Sequence, residues 1–143
     1  MRPTIMNLSR NAALALLALL AFAAQSESAH AVTFQTLYSF TGGSDGAWPA
    51  VSLGTGGSTL YGGTFFGGAN GDGVVFSMAL NGSNFQTLHT FAGSDGTRPT
   101  GLTVVGSTLF GATLLNTTSK GTVFSMATDG STFQTIHTFT GGI

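Results

Sequence analysis

From residue 33 onward the chain is a series of short apolar runs separated by stretches rich in Gly, Asn and Asp. Side chains of an extended strand point alternately to its two faces. In the run Val74-Val75-Phe76-Ser77-Met78, this alternation sets Phe76 and Met78 on one face and Val75 on the other. In Phe85-Gln86-Thr87-Leu88-His89-Thr90-Phe91 it sets Phe85, Thr87, His89 and Phe91 together, with Leu88 opposite. β-Branched and aromatic residues dominate the runs, and no segment after the first thirty residues or so shows the periodicity of an amphipathic helix. Strands are therefore predicted at 50–53, 59–65, 74–80 and 84–91, and again at 101–105, 108–114, 122–128 and 132–139. Asn81-Gly82 and Asp129-Gly130 stand where hairpin turns demand positive φ angles. Runs that are apolar on both faces require a sheet covered on both sides.

The runs recur. Phe34-Gln35-Thr36-Leu37-Tyr38-Ser39-Phe40 returns 51 residues later as Phe85-Gln86-Thr87-Leu88-His89-Thr90-Phe91, and 48 residues after that as Phe133-Gln134-Thr135-Ile136-His137-Thr138-Phe139. Gly43-Ser44-Asp45-Gly46 with Pro49 returns as Gly93-Ser94-Asp95-Gly96 with Pro99, and Leu60-Tyr61-Gly62-Gly63-Thr64 returns as Leu109-Phe110-Gly111-Ala112-Thr113. Four antiparallel strands in each period of roughly 40–50 residues, stacked sheet on sheet, make an all-β, β-propeller-like repeat. The expected arrangement is one strand at 34–40 followed by two four-stranded blades, with repeat units at about 41–91 and 92–139. Closed propellers need about four to eight blades. The segment is thus expected to be an incomplete propeller: a fragment, a truncated product, or a piece completed by self-association.

Residues 1–31 read as a secretory signal peptide, leaving 32–143 as the repeat segment. Arg2 and Arg10 precede an apolar run from Ala12 to Ala24, and Ala29-His30-Ala31 supplies a small-x-small cleavage site. The run is shorter than the roughly 20 residues a membrane-spanning helix needs. Cleavage after Ala31 and a secreted or periplasmic product, free of the membrane, are expected. The remaining charge is sparse: Arg98, Lys120, Asp45, Asp72, Asp95 and Asp129. So little positive charge argues against nucleic acid as a partner, and the absence of Cys excludes disulfides, thiolate catalysis and cysteine-ligated zinc.

Gly-x-Val-Phe-Ser-Met, then Asn/Asp-Gly, then Phe-Gln-Thr-Leu/Ile-His-Thr-Phe, Asp-Gly-x-x-Pro and Leu-Tyr/Phe-Gly-x-Thr together resemble the GloVer-type tandem repeat of bacterial secreted choice-of-anchor proteins. The resemblance covers 34–143. It implies a secreted, propeller-like repeat protein with no established enzymatic activity.

Local motifs that suggest chemistry have simpler structural readings. Gly42-Gly43-Ser44-Asp45-Gly46 matches a nucleophile elbow in letters, but it joins two strands rather than a strand and a helix. Gly67-Gly68-Ala69-Asn70-Gly71-Asp72-Gly73 resembles a single calcium nonapeptide, although one Asp cannot furnish a six- to eight-oxygen site. His89 and His137 share a repeat position with Tyr38. That suits an amphipathic packing site whose polar tip meets a backbone group better than it suits a metal ligand. The expectation is no cofactor and no metal.

One geometric inference points to a binding face, beside the simpler reading that loops are merely polar. In an up-and-down sheet, the loops joining second to third strands emerge at the same end as those joining one blade to the next. That end gathers Trp48, Arg98, Asp45, Asp95, Asp72, Asn70, Asn116 and Lys120. Trp48 and Arg98 replace one another between units within matching flanks, as repeat scaffolds do when they vary recognition. The chain is read as a non-catalytic structural or binding module, with carbohydrate or a cell-surface protein as partner. The alternative is a secreted carbohydrate-active hydrolase or lyase using the loop Asp residues.

Overall fold

The fold is that of a computed structural model, which describes residues 33–117 and 120–141. The expected signal segment at 1–31 lies outside them. The chain divides into two units, Met1–Gln35 and Thr36–Ile143. All strands and core residues below belong to the second.

Eight strands form among the described residues: β1 (Gly54–Gly56), β2 (Thr59–Thr64), β3 (Val74–Ala79), β4 (Gln86–Thr90), β5 (Thr97–Val105), β6 (Thr108–Leu115), β7 (Thr122–Ala127) and β8 (Gln134–Thr138). They make two four-stranded antiparallel sheets in sequential order, β1-β2-β3-β4 and β5-β6-β7-β8. The sheets are not closed into a barrel, and the arrangement is an incomplete propeller of about two blades. The repetition extends to an irregularity of pairing. Register slips between Val75 and Phe76 where β3 meets β4, and between Val123 and Phe124 where β7 meets β8. In each sheet the extra residue on the outer strand, Leu88 or Ile136, is left without a ladder partner.

Three expectations are corrected. The strand placed at 50–53 lies instead at Gly54–Gly56. Pairing to β2 breaks off beyond Gly54 and resumes only at a bridge between Ala47 and Phe66. The equivalent β5 runs through with an irregularity between Pro99 and Gly101, so the first blade opens at the point where the second merely bends. The ninth strand at 34–40 is not formed, because no free β3-type edge is offered to it. Residues of this segment pack through side chains: Tyr38 stacks on Phe85 at 4.1 Å, and Phe40 meets Phe76 edge-on at 5.2 Å. The turns after β3 and β7 are also not simple two-residue hairpins. Gly82 and Gly130 take φ of +83° and +89°, but the other positive angles fall on Asn84 and Thr132 rather than on Asn81 and Asp129. The Asn81 and Asp129 carboxamide and carboxylate oxygens instead accept from the backbone and hydroxyl of Ser83 and Ser131.

The main core lies between the blades. Val51, Tyr61 and Val75 of the first meet Leu102, Leu109, Phe124 and Met126 of the second, with Phe91 of the connecting segment fully buried among them. Burying side chains of this size stabilises by about 1.5–3 kcal/mol each. A smaller cluster, Leu60, Phe76 and Met78, covers the far face of the first blade, under Tyr38, Phe40 and Phe85.

Candidate functional site

Four loops converge at one end of the two blades. Gly68 donates to the Gly43 carbonyl at 2.8 Å, Arg98 N–H to the Asp72 carbonyl at 2.9 Å, and Thr117 N–H to the Gly93 carbonyl at 3.2 Å. Ala47 and Phe66 exchange backbone bonds of 2.6 and 3.0 Å. These bonds tie the loop before β1, the β2–β3 loop, the β4–β5 connection and the β6–β7 loop to one another. The residues expected to share this end do share it, but they divide into two groups with different employment.

The first group is consumed by the loops themselves. The Asp45 carboxylate accepts from Thr41 N–H at 2.8 Å, from the Thr41 hydroxyl at 2.6 Å and from the Tyr38 hydroxyl at 3.1 Å. Asp95 does the same work in the next unit, accepting from Ala92 N–H at 2.9 Å and pairing with His89 Nε2 at 2.8 Å. Each Asp therefore closes the turn that leads into its blade. The hydrogen bonds from Thr41 hold the Asp45 carboxyl below its ordinary value, while burial and then the Asp45 carboxylate push the Tyr38 hydroxyl up. The expectation that the His89 tip meets a backbone group is corrected: its partner is a carboxylate. The signal was present in the sequence as the joint recurrence of Tyr38 with Asp45 and His89 with Asp95.

Behind each Asp, Gly46 and Gly96 take φ of +97° and +128°, and a Cβ at either would collide with Thr64 or Thr113. These buried threonines hold the β2–β3 and β6–β7 loops. Thr64 donates to the Phe66 carbonyl and Thr113 to the Leu115 carbonyl, while each accepts a backbone N–H from the following strand. Asn116 is buried and takes the Lys120 N–H at 3.1 Å. Asn70 is exposed but reaches across to the Phe91 carbonyl at 2.9 Å. Lys120 is exposed, its aliphatic stem beside Gly141. Asp72 is half-buried, with its carboxylate near Gly93.

The second group faces outward. Trp48 is 71% exposed and meets Phe66 edge-to-face at 5.3 Å, and the Arg98 guanidinium carbon stands 5.0 Å from the centroid of the same Phe66 ring. A cation at that distance is attracted by the ring quadrupole. Trp48 and Arg98, from successive units, thus share one aromatic neighbour. Phe66 was not among the residues singled out from the sequence. Its only visible signal was its place at the start of the β2–β3 loop, where the second unit has Leu115 at the end of β6. Trp48 and Arg98 both take φ of +56°. The left-handed region costs a residue with a Cβ about 1–2 kcal/mol, so each blade presents this side chain, Trp in one and Arg in the other, on a backbone better suited to glycine. Among the described residues, no group of three or more His, Cys, Asp or Glu is placed to hold a metal ion.

The topology and the loop bonds define an all-β repeat protein built from propeller-like blades. The chain belongs to the Gloeobacter/Verrucomicrobia repeat family, whose model matches residues 25–143. No curated protein matches it. Among solved structures it is similar to a chain in the crystal structure of a nidogen/laminin complex, at 10% identity and a TM-score of 0.49, over 60% of this chain and 30% of that one. It is also similar to the tricorn protease, at 17% identity and a TM-score of 0.44, over 64% of this chain and 8% of that one. The chain therefore spans less than a third of either structure.

Proposed function

We propose that this chain is a secreted, non-catalytic repeat module that binds carbohydrate at its loop end, with Trp48, Phe66 and Arg98 as the contact group. The observation that carries the reading is the exposed Trp48 ring, held beside Phe66 and the Arg98 guanidinium on loops that are cross-bonded into place. An exposed aromatic face stacks on the C–H face of a sugar ring, and a guanidinium donates to its hydroxyls. Asn70 and Asp72 lie on the β2–β3 loop, Asn70 bonded to the Phe91 carbonyl at the end of the first unit and the Asp72 carbonyl to Arg98 N–H of the second. The reading as a hydrolase or lyase draws on Asp45 and Asp95, whose oxygens are engaged by donors of their own loops. A structural closure of the turn accounts for both.

Export follows from the Arg2 and Arg10 n-region, the apolar run and the Ala29-His30-Ala31 site. The chain should be recovered outside the cytoplasm with Val32 at its N-terminus. Screened on a glycan array, it should bind a defined subset of glycans, and Trp48→Ala should lower that affinity at least about tenfold, a loss of about 1.4 kcal/mol. Circular dichroism should stay unchanged, since Trp48 is exposed. Retained binding in Trp48→Ala, or glycan turnover abolished by Asp45→Asn or Asp95→Asn, would overturn the proposal.

A further inference from the structure

Asp45, Asp95, Thr64 and Thr113 at the loop end are all held by hydrogen bonds within the fold. A second polar set, at the other end of the first blade, is not. The β1–β2 hairpin and the turn after β3 meet there: Leu80 N–H donates to the Ser58 carbonyl at 3.1 Å, and Ala79 N–H to the Ser83 carbonyl at 2.8 Å. Beside these bonds lies an open hollow of about 360 Å³, whose polar lining is Ser58, Thr59, Ser77, Asn84 and Gln86.

The strand pairings put these residues together. Ser77 lies opposite Tyr61 on one neighbouring strand and opposite Gln86 on the other, and Thr59 stands two residues from Tyr61. Paired residues share a face of a sheet, as do alternate residues of one strand. Thr59, Ser77 and Gln86 therefore stand on the face that Tyr61 turns to the second blade, nearer the hairpin end. Ser58 in the hairpin and Asn84 just ahead of β4 are exposed and form the rim. The two backbone bonds hold hairpin and turn in place, so the polar groups are positioned before any ligand arrives, which lowers the cost of binding.

Ser77 is the informative member. It is 7% exposed, in an interior strand of the sheet, with Val75 and Ala79 as its neighbours on the same face. Its hydroxyl makes no hydrogen bond to any described residue. Among the described residues, no side-chain oxygen or nitrogen cut off from solvent lacks a partner. The Ser77 oxygen is therefore reached through the hollow. A hydroxyl at a position where Ala or Val would pack is costly unless something bonds to it. The side chains of Ser58, Thr59, Asn84 and Gln86 likewise make no hydrogen bond to a described residue.

The chemistry of the set defines the ligand. Each of the five side chains both donates and accepts, and none of the residues lining the hollow is charged or aromatic. An ion would find no counter-charge there, and an apolar group would strand the Ser77 hydroxyl. A ring of neutral hydroxyls, each also donor and acceptor, matches the lining. The volume falls within the range of small-ligand pockets, about 300–1,000 Å³. We propose that this hollow binds one neutral sugar ring, with the Ser77 hydroxyl at its floor and Gln86 and Asn84 at its sides. The site is separate from the Trp48 loop end and stands or falls independently of it.

Amide NMR spectra of the isotope-labelled protein, recorded with increasing glucose, galactose or mannose, test the site. At least one of the three should give saturable shifts at Ser58, Ser77 and Asn84 and at the Gln86 side-chain amide. Ser77→Ala and Gln86→Ala should each weaken that binding about threefold or more, the loss of one hydrogen bond. Gln86 is exposed, so its variant keeps the test open should Ser77→Ala disturb the sheet. Glucuronate and glucosamine, which bring a charge that nothing in the hollow meets, should bind more weakly than the neutral sugar that is taken. No saturable shift with any of the three sugars, binding undiminished in both variants, or tighter binding of either charged sugar would overturn the proposal. Shifts confined to the Trp48 loop end would also overturn it, while leaving the reading of that end intact.

Discussion

β3 and β7 have nearly the same sequence, Val-Val-Phe-Ser-Met-Ala and Thr-Val-Phe-Ser-Met-Ala, yet they live in different surroundings. β3 is buried without interruption from Val74 to Met78. β7 alternates, with Thr122, Phe124 and Met126 buried and Val123, Ser125 and Ala127 only partly so. β3 has the second blade on one side and Tyr38, Phe40 and Phe85 on the other, whereas β7 has a neighbour on one side alone. The repeat therefore encodes a sheet meant for cover on both faces, and the number of neighbours decides whether each apolar residue contributes. The burial of a blade's apolar residues depends on what lies against it, and in stacked repeats the contacts between neighbours add to each unit's own stability.

That comparison can be broken by matched substitutions. The largest effect should come from Leu102→Ala, which empties a packed site and should cost about 2–5 kcal/mol. Its equivalent Leu53→Ala, at an open site, should cost within about 0.5 kcal/mol in the monomer. Urea unfolding of the two variants measures the difference directly, and equal losses would show that the first blade is covered in solution.

A smaller difference separates the two Asp-closed turns. Thr41 gives Asp45 both an N–H and a hydroxyl, while its counterpart Ala92 gives Asp95 an N–H only. Ala92→Thr should restore the missing bond and raise stability by about 0.5–1.5 kcal/mol. A gain in the urea midpoint without a change in slope is the expected readout.

The smallest effect concerns acid. Asp45 and Asp129 are both held below the ordinary carboxylate value, Asp45 by the Thr41 hydroxyl and N–H, Asp129 by the Ser131 hydroxyl and N–H. A depressed folded-state pKa adds stability that is complete above the unfolded value of about 3.9 and is lost as pH falls through the folded value. Stability should thus decline on acidification below about pH 4. Asp45→Asn should flatten part of that decline, and thermal melts across the acid range would reveal it. The solvent exposure of both groups keeps the amplitude small.

Much of the architecture was legible before any coordinates. The repeated Phe-Gln-Thr run, the double-faced apolar strands and the Gly-Ser-Asp-Gly turns suffice for two four-stranded units, because alternation and turn chemistry act over a few residues. The gathering of Trp48, Arg98, Asp72 and Asn70 at one end followed from strand direction alone. What stayed hidden was how each polar group is used. Asp45 and Asp95 look like candidate acids in a list of residues, but a hydroxyl and an imidazole placed by the preceding segment take up their oxygens. Asn116 looks like a loop amide, yet the chain turns it inward. Phe66 drew no notice, because its importance comes from two partners distant in sequence.

The primary structure determined the period and most of the strands, since these rest on an alternation and on turn residues that recur at fixed spacing in each unit. Tertiary structure decided that residues 36–40 pack without joining a sheet, that β1 is cut short, and that the two units differ in burial. Those outcomes depend on which neighbour is present to cover a face or offer an edge, and no stretch of sequence specifies by itself the company it will keep.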